Sequence, residues 1–156
     1  VNHQGSVEGF DPKYWLAGTD ATERRILHTM MRVKDPKVAL PFYTDGLGMK
    51  LVHTYEIESR GITAFFLSYD ENATDGFLEL AHYWKAEGPY SHGTGYGHIA
   101  VGVPDFKATF EKLEAMGAEV IARPYILFPG GPHLAMVKDR DGYAVEIIQA
   151  RRSEKI

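Results

Sequence analysis

The chain's 156 residues suffice for one compact unit with a real core and are too few for two conventional domains. Its 17 basic and 21 acidic side chains are scattered, and the net charge of −4 offers no basic stripe to nucleic acid or an anionic membrane. No apolar run approaches the roughly 20 residues of a membrane span, and zero cysteines exclude disulfides, thiolate ligands and a thiol nucleophile, so any metal must be held by His and carboxylate. Neither nucleic acid nor membrane is expected as a partner; the protein is expected to be soluble and cytoplasmic, although the absence of cysteine leaves the redox compartment undetermined.

Residues 1–22 contain Gly5, Gly9, Pro12 and Gly18 and one apolar group, Phe10, Tyr14, Trp15 and Leu16, with no signal-peptide core. They are expected to form an arm or short helix docked by its aromatics, or a partly disordered leader. Ile26 to Val33 reads as a strand. Asp35-Pro36 opens a helix whose apolar positions are Val38, Leu40, Phe42, Tyr43 and Leu47, with Gly46 and Gly48 marking its end. Strands are expected at Met49 to Tyr55, Ile62 to Tyr69 and Phe77 to Tyr83, separated by a turn at Gly61 and a polar loop from Asp70 to Gly76. Lys85 to Gly97, rich in Gly and small polar residues, reads as a linker.

The same order then recurs. His98 to Val103 is a strand, and Pro104-Asp105 enters a helix with a face of Phe106, Phe110, Leu113 and Met116, closed by Gly117. Strands follow at Ala118 to Ile121, Leu134 to Lys138 and Tyr143 to Gln149, after the break Pro129-Gly130-Gly131-Pro132 and the turn Asp139 to Gly142. The fold class is thus α+β, two βαβββ halves at about 25–84 and 95–149 forming a single domain over 23–150, with a tail at 151–156. Such a duplication brings equivalent positions together about a pseudo-twofold axis.

His28 and His98 open the first strands of their halves, 70 residues apart; Glu79 and Glu146 lie in the last strands, 67 apart. A single strand Glu usually faces solvent, and a single His is usually a surface or satisfied core residue. Two His and two Glu at equivalent places suit a hard or borderline divalent ion. His3, His53, His82, His92 and His133 have no counterpart in the other half. Alternation turns His82 to the face opposite Glu79, whereas His133, after the Gly-Gly turn, remains open as a pocket residue.

From Arg25 to Gln149 the sequence resembles glyoxalase I, the lactoylglutathione lyases of the vicinal oxygen chelate superfamily. The resemblance rests on the run from Arg25 to Asp35, Phe42-Tyr43-Thr44 with Leu47-Gly48-Met49, Gly95-Tyr96-Gly97-His98-Ile99-Ala100, and Asp141-Gly142-Tyr143 before Glu146. It implies His28, Glu79, His98 and Glu146 as metal ligands for nickel, cobalt or zinc, and a homodimer with shared active sites. The implied reaction is isomerisation of the methylglyoxal–glutathione hemithioacetal to S-lactoylglutathione by proton transfer through an enediolate, with Glu146 as base and Glu79 its catalytic counterpart. Arg32 matches the family arginine that binds the glutamyl carboxylate.

Two positions depart from the family pattern at the substrate. Tyr83 stands where an Asn is usual, and Phe128-Pro129 where a Lys is usual before the Gly-Gly turn. Unless another cation, such as Arg24, Arg25, Lys85 or Arg123, or the arm at 1–22 replaces those contacts, activity with the glutathione hemithioacetal is expected to be weak, or the substrate a different and more apolar one. Two other function classes stay open: a different metal enzyme on the same scaffold (epimerase, ring-cleaving dioxygenase or tailoring enzyme), and a metal-free small-molecule binder of the drug-resistance type. Four ligands favour isomerase chemistry over the two-His-one-carboxylate dioxygenases.

Overall fold

The computed structural model describes residues 7–8, 24–73 and 75–150. The chain forms two compact units, Val1–Tyr90 and Ser91–Ile156, which meet in sequence inside the expected Gly-rich linker. Among the described residues no helix is long and apolar enough to cross a membrane.

In the amino-terminal unit the elements are β1 (Val7–Glu8), β2 (His28–Arg32), α1 (Pro36–Pro41), β3 (Lys50–Ile57), β4 (Ile62–Ser68) and β5 (Phe77–Tyr83). The sheet order is β1-β3-β4-β5-β2, so the first long strand returns to pair, in parallel, with the last. Backbone bonds Val33 N–H to Ala81 O and Phe77 N–H to Leu27 O extend that pairing at both ends. β1 adds to the β3 edge, Val7 opposite Ile57. The expected aromatic docking of the arm otherwise lies outside the described residues, as does the tail.

Asp35 caps α1 by accepting from the Lys37 N–H at 2.9 Å, with Pro36 in the first turn where its missing donor costs nothing. The single expected helix is in fact two pieces. Pro41 has no N–H to continue the ladder, and Phe42–Gly46 widens into a π-turn, with Leu47 N–H bonding Phe42 O. The buried stripe is therefore Ala39, Phe42, Tyr43 and Leu47; Val38, expected on it, is exposed, and Leu40 is only half-buried.

The carboxy-terminal unit repeats the plan with β6 (Ile99–Val103), α2 (Phe106–Ala115), β7 (Glu119–Ile126), β8 (His133–Lys138) and β9 (Ala144–Gln149), in the order β6-β9-β8-β7 with β6 and β9 parallel. α2 packs on β9, and the buried Phe106, Phe110 and Leu113 match the buried Val145 and Ile147. β7 runs five residues beyond its expected end at Ile121. Pro124 suggests a break, but β7 is an edge strand, and the pairing irregularity between Ala122 and Tyr125 absorbs the missing donor. His98 falls one residue before β6 instead of opening it.

The turn into β5 depends on Gly76, whose φ of +87° is left-handed and whose absent Cβ would sit 3.1 Å from the carbonyl oxygens of Ile26 and Leu27. A side chain here would push β5 away from the chain entering β2. Gly76→Ala should therefore lose about 1 to 2 kcal/mol of stability from backbone strain alone, measured by chemical denaturation; unchanged stability would mean the turn relaxes freely.

Candidate metal centre

The parallel pairing of first and last strands determines where the sequence-predicted ligands fall. In the amino-terminal unit Met30 stands opposite Glu79; in the carboxy-terminal unit Ala100 stands opposite Glu146. Each Glu is thus paired with the residue two positions beyond its His, and residues two apart share a face. Each His reaches its own Glu diagonally: His28 Nε2 lies 3.2 Å from Glu79 Oε2, and His98 Nε2 lies 3.4 Å from Glu146 Oε2.

The two carboxylates lie in different surroundings. Glu146 alternates with Val145 and Ile147, both fully buried on the α2 side. Glu79 stands opposite Phe66 across β4 and two residues from Phe77, within an aromatic tier. Phe66 contacts Tyr55 (5.6 Å, stacked), Phe77 (5.3 Å, edge-on) and the His28 ring (5.6 Å, edge-on). Burial in this tier pushes the Glu79 carboxyl above the usual carboxylate range, with the neighbouring His28 pulling weakly the other way.

Two contacts anchor the second pair. The Tyr96 hydroxyl donates to Ala144 O at 2.9 Å, tying the segment before His98 to the start of β9. Burial first, and the nearby Asp139 charge second, raise the Tyr96 pKa. Buried Asp139 accepts from the backbone N–H groups of Asp141 and Tyr143 at 3.0 and 2.8 Å, which shapes the turn into β9. Neither role was assigned from sequence, although both residues stand in or beside motifs recognised there.

The remaining histidines take other places. His82 stands on the face opposite Glu79, as alternation requires, and His53 and His92 stack on Tyr55 and Tyr143. His133 contacts Gln149 Oε1 at 2.9 Å on the strand face opposite Glu146. His3 lies outside the described residues. Arg32 lies over the Tyr83 ring, 4.6 Å from its centroid, on the same face as His28 and Glu79. Phe128, in the turn before β8, is exposed, and its carbonyl accepts from Gly131 N–H.

The donor chemistry fits a divalent cation. Neighbouring ligands of one ion at about 2.1 Å are separated by about 3.0 to 3.4 Å in octahedral or tetrahedral geometry, the separation seen in both pairs. An N···O distance of this length is also that of an ordinary ion pair; repetition at the same register in both units is what points to a shared ligand. Among the described residues no group of three or more His, Asp or Glu side chains is gathered, so each unit by itself offers two donors.

Paired βαβββ units with a His–Glu couple between first and last strands define the class. The sequence signature of the Glyoxalase/Bleomycin resistance protein/Dioxygenase superfamily matches residues 25–147, and the chain belongs to that superfamily. It is 40% identical over 130 residues to a probable lactoylglutathione lyase of Vibrio parahaemolyticus, covering 83% of this chain and 93% of that protein. It is 39% identical over 130 residues to the lactoylglutathione lyase of Haemophilus influenzae, covering 83% and 96%. The structure resembles glyoxalase I from Zea mays with a TM-score of 0.75 at 30% identity, covering 82% of this chain but only 45% of the maize chain. It resembles the trypanothione-dependent glyoxalase I of Leishmania major with a TM-score of 0.71 at 34% identity, covering 81% and 87%.

If Tyr96 secures the second pair, Tyr96→Phe should lose about 0.5 to 1.5 kcal/mol, the usual net worth of one hydrogen bond. Thermal and urea unfolding would measure it, and no loss would leave the segment before His98 anchored by packing alone.

Proposed function

We propose that the chain is a metal-dependent lactoylglutathione lyase, isomerising the hemithioacetal of methylglyoxal and glutathione to S-lactoylglutathione. The observation that carries this reading is the repeated His–Glu couple at one register in both units. Relatives at 39 to 40% identity bearing that name support it. A binder needs no such couples. A two-His-one-carboxylate dioxygenase would leave one of the two glutamates without a task.

In this reading His28, Glu79, His98 and Glu146 together hold one divalent ion, nickel, cobalt or zinc. From the resemblance to the family, we assign the working form as a homodimer with shared sites. The ion, when bound, supplies positive charge that stabilises the negative charge developing on the substrate's adjacent oxygens. Glu146 removes the proton from one substrate carbon and returns it to the next. Glu79 is the less exposed of the two carboxylates, with a side-chain exposure of 12% against 18%. Its raised pKa reflects the drier wall, where Phe66 and Phe77 exclude water. Arg32, steered by the Tyr83 ring, binds a carboxylate of the thiol peptide.

Glu146→Gln should remove most turnover of the glutathione hemithioacetal while retaining metal, since the amide keeps an oxygen donor but is a negligible base. Glu79→Gln should act more on metal affinity than on turnover. Steady-state kinetics with metal analysis of the same samples checks both; full activity in Glu146→Gln would move the base to another residue.

A further inference from the structure

At the far end of β5 the amino-terminal unit opens into a cavity of about 530 Å³ lined by Arg32, Arg60, Lys85, Glu58, Tyr83 and Trp84, among others. Three cations face one carboxylate. The walls are well defined. Gly61, at φ +62°, closes the short 3₁₀ turn Glu58–Arg60. Its carbonyl accepts from the Trp84 N–H at 2.9 Å, and its Cα packs beneath the indole, which would lie 3.5 Å from a Cβ at that position. The indole Nε1–H donates to Thr63 Oγ1 at 2.8 Å. Trp84 is thus held at both backbone and ring while 43% of its surface stays open.

Arg32 and Tyr83 bring this cavity to the face that carries the first His–Glu couple, while Trp84 bonds Thr63 on the other face, so the cavity wraps the end of the sheet. Tyr83 follows Glu79 by four residues, about 13 Å along a strand rising about 3.3 Å per residue. That is the reach of a short extended peptide. Arg32 bridges the two regions, since it lies over Tyr83 and also lines the cavity.

The other cations considered from sequence are committed or placed elsewhere. Arg25 donates to Ala73 O at 2.5 Å, and Arg123 pairs with Glu114 at 2.6 Å in the other unit. Arg24 does not line this cavity. Lys85 does, and so does Arg60, which the sequence did not single out; among the described residues neither enters an ion pair.

We propose that Arg60 and Lys85 are specificity-determining residues that hold the carboxylate end of an extended thiol peptide in this cavity. The assignment rests on the functional reading above, and it names the part of the substrate that this chain selects by charge.

The test uses the full-length protein and the unreactive thioether S-methylglutathione, with its diethyl ester as the probe lacking free carboxylates. Tryptophan fluorescence reports binding through Trp84, and Trp84→Phe identifies its signal against that of Trp15. Arg60→Gln and Lys85→Gln should each weaken S-methylglutathione binding about tenfold and leave the already weaker binding of the diester little changed. In turnover, KM for the glutathione hemithioacetal should rise by a similar factor with kcat held. Binding and KM insensitive to both substitutions, in a protein that turns the hemithioacetal over well, would overturn the cavity assignment and leave the functional reading standing. Binding that depends on both cations, in a metal-loaded protein that isomerises no hemithioacetal, would uphold the cavity assignment as a thiol-peptide site and retire the functional reading.

Discussion

Parallel pairing of β2 with β5, and of β6 with β9, fixes where the functional side chains of each unit fall. A parallel pair cannot be closed by a tight turn, so the chain must travel through a helix and two further strands before it returns. That detour builds the sheet. The return sets Glu79 opposite Met30 and Glu146 opposite Ala100, which leaves each carboxylate one diagonal from its histidine. A slip of one residue would turn the whole strand over and send the carboxylate to the opposite face. The left-handed Gly76, the Asp139 turn and the Tyr96 hydroxyl all act on that register, at the ends of the returning strands.

The two couples share a geometry and differ in their surroundings. His28–Glu79 rests on stacked and edge-on aromatic rings, and its carboxyl holds a proton more tightly as a result. His98–Glu146 is more open, with the histidine side chain 44% exposed against 29% for its counterpart. A base that must gain and lose a proton at each turnover benefits from the more accessible position, whereas a ligand benefits from the fixed one. In the proposed mechanism this difference accompanies the assignment of Glu146 as base and Glu79 as its counterpart. Along β5 the face of the first couple continues to Tyr83, where Arg32 lies over the ring and the cationic cavity begins.

Much of this was legible in the sequence because alternation and repetition are local signals. The two βαβββ halves, seven of the eight long strands nearly in full, and the four ligand candidates follow from spacing and recurrence alone. What escaped has identifiable causes. Pro41 splits the expected helix by removing a donor, a backbone effect that the apolar pattern does not encode. Pro124 conceals the second part of β7, because whether a proline is tolerated depends on the strand being at an edge. Tyr96 and Asp139 act through backbone groups brought close only by folding. Arg60 lies in an unremarkable turn, and its role appears only when the β3–β4 hairpin sets that turn beside Trp84.

In the proposed function the two His–Glu couples supply the two halves of one divalent-ion site. Metal stoichiometry tests it most directly, measured after equilibrium dialysis on the parent protein and on two double variants, His28→Ala with Glu79→Ala and His98→Ala with Glu146→Ala. One tightly held ion per chain is expected in the parent, and its loss in either variant, since neither couple alone offers more than two donors. Retention of the ion at unchanged affinity after removal of one couple would contradict it.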